Sequence, residues 1–182
     1  MGGAVAGVVL AAGAGTRYGA PKILAEQGRW LIAAVRALAD GGCDSVWVTT
    51  GAARPRLPEP AREIYVPHWK RGMSESVRTV IEVVSALPSE CGVLVLHTVD
   101  TPDVTAAVTA RVLGQHSSAP GLTRAAYHGA PGHPVVIGRS HWPGLLKTLA
   151  GDSGARAFLA RHDTRMVECG DLASGADIDV RT

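Results

Sequence analysis

The sequence predicts a single domain over residues 1–182 with an α/β fold and a mostly parallel sheet. Short apolar runs alternate along the chain with segments whose apolar residues recur at helical spacing, an order typical of this fold class. Apolar residues make up 46% of the chain but aromatic residues only 4%, so Ala, Val and Leu must supply most of the packing. A chain of 182 residues is long enough to bury a core of its own.

The first element is an apolar run, residues 5–12, which is short enough to be a buried strand. It stops at three glycines, Gly13, Gly15 and Gly19. Glycine allows positive φ and lets an anion approach the main-chain amides without a Cβ in the way. Because Arg17 and Lys22 lie among these glycines, the segment is predicted to bind phosphate.

Spacing excludes two common phosphate loops. A dinucleotide-binding fold requires G-x-G-x-x-G after its first strand, but Tyr18 stands where the third glycine should fall. A Walker loop requires Gly-Lys-Ser/Thr, whereas Lys22 follows Pro21 and precedes Ile23. A different nucleotide-binding family is therefore indicated.

The next elements read as a crossover followed by a second and a third strand. Residues 31–39 place apolar side chains on one helical face, and the glycines at 41–42 end that helix. Residues 45–50 form the predicted second strand, and residues 63–66 a short third one. The loop between them, residues 52–62, is rich in Pro and Arg and is predicted to lie on the surface.

A second helix is predicted after Gly72, with Ser74 as its N-cap. Its apolar residues are Val77, Val80, Ile81 and Val84. The free amides of a helix N-terminus favour an anion, so Ser74 and Ser76 are candidates to face a ligand phosphate. An ordinary capped helix without a ligand fits these residues equally well.

The most apolar strand, residues 92–99, is predicted to be central, and it ends at an acid, Asp100. Thr101 can cap a following helix over residues 104–113, with Pro102 at its first position and Asp103 in its first turn. Asp100 lies at the carboxyl end of a strand, where open α/β sheets bind ligands. Because Asp100 would face a triphosphate loop, its carboxylate suits Mg²⁺. The competing interpretation is that Asp100 is merely the residue next to the helix cap Thr101.

The last third of the chain continues the alternation. A strand is predicted over residues 122–127, and a short apolar strand follows the Gly132-His133-Pro134 step. His133 either hydrogen-bonds an acceptor phosphate or simply orders its loop, and both interpretations are open. A helix opening at residues 151–156 offers Asp152 and Ser153 as caps, and residues 165–169 read as the last strand.

Composition excludes several classes of protein. The net charge of +2 is too small to favour nucleic acid as a partner. The three cysteines are far apart and form no C-x-x-C pair, so neither disulfides nor a zinc site is indicated. The apolar runs are too short for a membrane span, and we expect no membrane partner and a cytoplasmic location.

Residues 10–22 read L-A-A-G-x-G-x-R-x-G-x-P-K and resemble the opening motif of the nucleotidyltransferases. The resemblance is strongest to the branch that attaches CMP or GMP to the molybdenum cofactor. It continues in family order through later segments: Trp69-x-x-Gly-Met-x-x-Ser76, Asp100-x-Pro102, Gly132-His133-Pro134, Gly151-Asp-x-Gly-Ala-Arg156 and Asp177-Ile-Asp179. The usual continuation of the last motif, Thr-Pro-Glu-Asp-Leu and a helix, is missing from this chain.

The resemblance implies a Rossmann-like three-layer sandwich of the nucleotide-diphospho-sugar transferase type. It also implies that Arg17 and Lys22 neutralise a bound triphosphate and act in catalysis together with Asp100. The implied nucleotide-binding residues are Leu10, Ala11, Ala12, Gly13, Gly15, Thr16, Arg17, Lys22 and Ser76. The acceptor would lie at Gly132 and His133, and Mg²⁺ at Asp100 with Asp177 or Asp179, unless the end of the chain is a disordered acidic tail.

The implied reaction is transfer of a nucleotidyl group from an NTP to a phosphorylated small molecule, with molybdenum cofactor as the expected acceptor. The Ala-Ala-Gly form of the first motif is associated in relatives with CTP rather than GTP, so CTP is the expected donor. Two alternatives are open, namely an NTP transferase acting on another phosphorylated molecule and a non-catalytic nucleotide-binding homologue.

Overall fold

The computed structural model describes residues 3–87, 91–116 and 121–180. The strands in these ranges are β1 (Ala4–Leu10), β2 (Ser45–Thr50), β3 (Arg62–Tyr65), β4 (Cys91–Thr98), β5 (Leu122–Tyr127), β6 (Ala130–Gly138) and β7 (Arg165–Glu168). The α-helices are α1 (Arg29–Ala39), α2 (Met73–Ser85), α3 (Ala106–Gln115), α4 (Trp142–Thr148) and α5 (Arg156–Ala160). Strands and helices therefore alternate through most of the chain, as predicted.

All these strands belong to one sheet with the order β3-β2-β1-β4-β6-β5-β7. β1 pairs in parallel with β2 and β4, β2 with β3, and β5 with β7. Only β6 runs the other way, antiparallel to β4 on one side and to β5 on the other. The predicted mostly parallel sheet is confirmed, and its antiparallel member is a strand whose direction the sequence does not reveal.

Helices cover both faces of the sheet. One face packs on α1 and α3, where Val35 and Val108 are fully buried against Val9 and Val95 of the central strands. Successive side chains of a strand point to opposite faces, so the neighbouring residues of the same strands pack on α2, α4 and α5 instead. The three-layer α/β sandwich expected from the family resemblance is confirmed.

Helix α2 begins earlier than predicted, and Ser74 is not its N-cap. Gly72 precedes the helix with φ 105°, so the chain turns there and Ser74 falls inside the first turn. The Ser74 side chain is buried, and its hydroxyl has no hydrogen-bond partner in the described part of the chain. Ser76 is buried as well.

The segment after β4 also differs from the prediction. Thr101 does not cap a helix, because its hydroxyl donates to the carbonyl of Thr98 at 3.2 Å, and α3 starts only after Thr105. Asp103 lies outside the helix and accepts hydrogen bonds from the amide and hydroxyl of Ser174, at 2.7 and 2.6 Å. The turn therefore fastens a distant part of the chain next to Asp100.

Two further local predictions need correction. Residues 151–153 form a separate 3-10 turn, and Gly154, with φ 51°, separates it from α5, so neither Asp152 nor Ser153 caps that helix. The hydroxyl of Ser153 donates to Ala150 instead of accepting from an amide. The Gly-His-Pro step is not a loop either, because β6 already begins at Ala130.

Cys43, Cys91 and Cys169 are free thiols. The spacing of the cysteines in the sequence likewise indicates no disulfide bonds. Burial raises the pKa of the Cys43 thiol to about 12, which keeps it protonated. Across the described ranges, we find no helix that is long and apolar enough to cross a membrane.

The buried histidine His97 in β4 predicts a pH-dependent stability. It is 1% exposed, and burial, assisted by the charge of His133, lowers its pKa from 6.5 to about 3. The unfolded chain therefore binds this proton more readily than the folded one. The stability due to a neutral His97 is complete above pH 6.5 and is lost as the pH falls toward 3, by about 1.4 kcal/mol per pH unit.

We expect His97→Leu to flatten this part of the pH dependence, so that the wild type loses about 2 kcal/mol more than the variant between pH 6.5 and 5. Urea denaturation at several pH values measures the difference. His68, an exposed histidine, is the matched control, and His68→Gln should keep the wild-type slope. Parallel curves for wild type and His97→Leu would contradict the assignment.

Candidate functional site

A cavity of about 810 Å³ opens where β1 and β4 end, and it extends to the start of β6. The antiparallel direction of β6 brings its beginning, rather than its end, to this edge of the sheet. Among the site residues that the sequence predicts, the cavity is lined by Leu10, Ala11, Ala12, Gly13, Gly15, Arg17, Lys22, Asp100, Gly132, His133, Asp177 and Asp179. Thr16, which is exposed, and Ser76, which is buried in α2, are not part of its lining.

The glycine-rich loop after β1 is fixed by backbone contacts. The Ala11 amide donates to the Thr49 hydroxyl at 2.8 Å, and the Ala12 carbonyl accepts from the Ala52 amide at 2.9 Å. Gly15 has φ 60°, and a Cβ there would overlap the Ala20 carbonyl. Glycine is therefore required at position 15 for the chain to fold back toward Lys22.

Lys22 is the centre of a charged cluster at the mouth of this loop. Its ammonium donates to Asp100 Oδ2 and to Asp179 Oδ1, both at 2.8 Å. Arg17 adds an exposed ion pair to Asp179 at 3.3 Å. Burial opposes the charge of Lys22, but the hydrogen bonds to the two carboxylates outweigh it, so the pKa of Lys22 is raised and the side chain stays protonated.

The acidic end of the chain packs against the site. The amide of Ile178 donates to the main-chain carbonyl of Asp100 at 3.0 Å, which brings the flanking Asp177 and Asp179 into the cavity lining. Burial, with the nearby charges of Asp100 and Asp179, raises the pKa of Asp177, whereas the Lys22 hydrogen bond lowers that of Asp179. The alternative of a disordered tail is wrong for residues 177–179.

The carboxylates carry more negative charge than Lys22 alone can compensate. Asp100 Oδ1 is buried and has no hydrogen-bond partner in the described part of the chain. All the donors here are carboxylate oxygens, which suit a hard cation such as Mg²⁺ or Mn²⁺. Among the described residues, however, no group of three acidic, His or Cys side chains is arranged to hold a metal ion, and the Lys22 ammonium lies between Asp100 and Asp179.

His133 lines the opposite side of the cavity, where contacts fix both its side chain and its main-chain carbonyl. Its Nδ1 lies 3.3 Å from the carbonyl of Leu96, and its own carbonyl accepts from the Tyr127 hydroxyl at 2.6 Å. Burial lowers the pKa of the imidazole, so the ring is neutral at pH 7. His133 can therefore offer an anion a hydrogen bond at most, and not a positive charge.

Sequence reasoning missed two arginines of the cavity lining. Arg124 comes from β5, and Arg156 comes from the first position of α5. Arg124 is the single charged residue of the predicted strand 122–127, and this was an available signal. Arg156 ends the Gly-Asp-x-Gly-Ala-Arg motif, whose role the sequence does not define.

Comparison with known proteins identifies the family of this chain. A model of the MobA-like NTP transferase domain matches residues 7–166. Nicotine blue oxidoreductase of Paenarthrobacter nicotinovorans is 34% identical over 194 residues, which cover 96% of this chain and 92% of the relative.

Solved structures share the fold. Rv0371c of Mycobacterium tuberculosis H37Rv has a TM-score of 0.80 at 24% identity, over 99% of this chain and 95% of that one. A structure of Rv0371c in complex with manganese has a TM-score of 0.70 at 24% identity, over 96% of this chain and 94% of that one. Because the family model spans most of the chain and includes the glycine-rich loop, the protein belongs to the MobA-like NTP transferase family.

Proposed function

We propose that the protein transfers a nucleotidyl group from an NTP, CTP in the first place, to a phosphorylated small molecule and releases pyrophosphate. The observation that carries the proposal is the meeting of the glycine-rich loop with Lys22, Asp100 and Asp179 in one cavity. A loop of main-chain amides with a lysine suits a triphosphate, and the carboxylates suit the cation that accompanies it.

In the proposed reaction, a phosphate oxygen of the acceptor forms a bond to the α-phosphorus of the NTP. The bond from that phosphorus to the oxygen bridging to the β-phosphate breaks, and pyrophosphate leaves with the electron pair. The attacking group is already an anion, so no strong general base is required. The protein must supply positioning and neutralisation of charge, for which Lys22 and Arg17 are the cationic side chains next to the loop.

Asp100 with Asp177 or Asp179 would hold a divalent cation, Mg²⁺ by preference, once the Lys22 ammonium no longer lies between Asp100 and Asp179. The cation would supply further neutralisation of the triphosphate. In the described structure, Lys22 forms ion pairs with Asp100 and Asp179 at 2.8 Å. We propose that Lys22 turns from these carboxylates to the triphosphate when the nucleotide binds. The manganese complex of Rv0371c is consistent with a divalent cation in a protein of this fold.

Molybdenum cofactor is our first choice of acceptor, because the sequence resembles the branch of the family that modifies it. We prefer CTP over GTP as the donor because Ala11, Ala12 and Gly13 have the Ala-Ala-Gly form that is associated with CTP in relatives. Another phosphorylated acceptor would use the same loop and the same carboxylates, since a fold does not determine a substrate.

A second candidate is a redox activity. The observation that favours it is the 34% identity to nicotine blue oxidoreductase over nearly the whole chain. The absence of the dinucleotide fingerprint G-x-G-x-x-G from the first loop argues against a nicotinamide nucleotide bound in the usual manner.

Calorimetric titration with CTP, GTP, UTP and ATP, each with Mg²⁺ and with Mn²⁺, tests the donor. We expect CTP to bind most tightly and pyrophosphate to appear when molybdenum cofactor is added. Binding of an NTP without pyrophosphate from any phosphorylated acceptor would favour the non-catalytic homologue. Absence of heat with all four nucleotides, together with bleaching of nicotine blue by a reduced nicotinamide nucleotide, would favour the redox candidate.

A further inference from the structure

Two arginines line the cavity from β5 and α5, elements other than the glycine-rich loop. The Arg124 guanidinium donates to the Gly132 carbonyl at 3.0 Å from one terminal nitrogen and at 3.3 Å from Nε. The side chain of Arg156 is exposed and forms neither a hydrogen bond nor an ion pair with another described residue. Neither arginine is therefore paired with a carboxylate in the described structure.

The two arginines are close enough to influence each other. Burial is the main cause of the lowered pKa of Arg124, and the charge of Arg156 lowers it further. The charge of Arg156 also adds to the lowering of the His133 pKa and opposes the raising of the Asp177 pKa, so both groups are within its electrostatic reach. The two guanidinium groups add positive charge to this part of the cavity, which favours an anionic ligand over a neutral one.

An apolar wall adjoins these cations. Met73 and Val77 of α2, together with Leu159 of α5, line the same cavity. Met73 is 37% exposed, which leaves apolar area that a ligand can cover. Concave sites of this kind bind the apolar body of a ligand and fix its orientation with a few polar groups.

We propose that Arg124 and Arg156 form a subsite for the phosphate of the acceptor, while Met73, Val77 and Leu159 contact an apolar or aromatic body attached to that phosphate. This inference rests on the proposed function in so far as the ligand is called the acceptor. The subsite itself defines a ligand class, a phosphate monoester of an apolar or aromatic group. Arg124 is oriented by Gly132, whereas Arg156 is free to follow the ligand.

Phenyl phosphate is the probe for this subsite, because it combines a phosphate with a flat apolar body. Its binding to the full-length protein is followed by two-dimensional NMR or calorimetry without nucleotide, and inorganic phosphate is titrated in parallel. We expect phenyl phosphate to bind more tightly than inorganic phosphate, and Arg156→Ala to weaken its binding about tenfold or more. Arg156→Lys should recover part of the loss.

Arg161 provides the matched control, because it is exposed at the end of the same helix and does not line the cavity. Arg161→Ala should bind phenyl phosphate as the wild type does, and thermal denaturation verifies that each variant is folded. Equal affinity of wild type and Arg156→Ala, or no binding by the wild type, would overturn the subsite. Inorganic phosphate binding as tightly as phenyl phosphate would overturn the apolar part.

A CTP titration of Arg156→Ala separates this inference from the proposed function. We expect unchanged CTP affinity, because Arg156 comes from α5, whereas the loop proposed for the triphosphate follows β1. If CTP produced no heat with the wild type while phenyl phosphate bound in an Arg156-dependent manner, the subsite would stand and the NTP donor would fall. A loss of CTP affinity equal to that of phenyl phosphate would assign Arg156 to the donor instead.

Discussion

Asp100→Asn is expected to reduce pyrophosphate release about 100- to 1,000-fold while the protein remains folded. The substitution keeps the shape of the side chain but removes the charge that now holds the Lys22 ammonium at 2.8 Å. It also removes a carboxylate whose buried Oδ1 has no partner in the described part of the chain. Turnover with CTP and acceptor measures the effect, and the retention of Mn²⁺ by the CTP complex, followed by electron paramagnetic resonance, measures the metal separately.

The control is Asp163→Asn, which changes the net charge equally at an exposed position outside the cavity. It should leave turnover and Mn²⁺ retention at the wild-type level. Undiminished pyrophosphate release by Asp100→Asn would remove Asp100 from the catalytic residues. Unchanged Mn²⁺ retention combined with lost turnover would restrict its role to the orientation of Lys22.

Gly15→Ala is expected to weaken CTP binding about 10- to 100-fold. A Cβ at this position would overlap the Ala20 carbonyl and approach the Lys22 amide to 3.3 Å, so residues 20–22 must shift. The shift carries Lys22 away from its place beside the loop. The φ of 60° adds a smaller cost of about 1 kcal/mol, because alanine rarely adopts it.

Gly19→Ala separates the two effects. Gly19 also has positive φ, 89°, but a Cβ there meets no atom within 4 Å. It should therefore lose some stability in urea denaturation and keep CTP affinity close to the wild type. If both variants bound CTP equally well, the overlap with Ala20 would not matter for the loop.

Much of the fold could be predicted because local patterns and tertiary structure agree. Gly13 follows the apolar run of β1, and Asp100 follows the apolar run of the central strand β4, so both residues mark strand ends. Parallel strands bring those ends together at one edge of the sheet. The direction of β6 could not be predicted, since a strand reads the same either way and pairing partners decide its direction. The starts of α2 and α3 were misplaced because Ser74 and Thr101 look like caps, but a positive φ at Gly72 and a separate turn at 101–104 move the helix starts.

The site was predictable in part for the same reason. The glycine-rich loop is local in sequence, so its residues can be recognised together, and the resemblance added Asp100, Asp177 and Asp179. Lys22 contacts Asp100, which is 78 positions away in the sequence, and Asp179, which is 157 positions away. Contacts over such separations cannot be predicted from the spacing of residues in a motif. Arg124 was missed because it lies inside β5 rather than at a strand end, and its long side chain carries the guanidinium to the Gly132 carbonyl of β6.

The two proposed subsites of the cavity draw on stretches that are separate along the chain. Residues 10–22 line the side proposed for the triphosphate, and residues 124–159, with Met73 and Val77 of α2, line the side proposed for the second substrate. Evolution can therefore exchange one stretch and keep the other, so that a new acceptor is acquired while the leaving-group chemistry is inherited. Chimaeras in which residues 122–160 come from a homologue are the natural route to retarget such an enzyme.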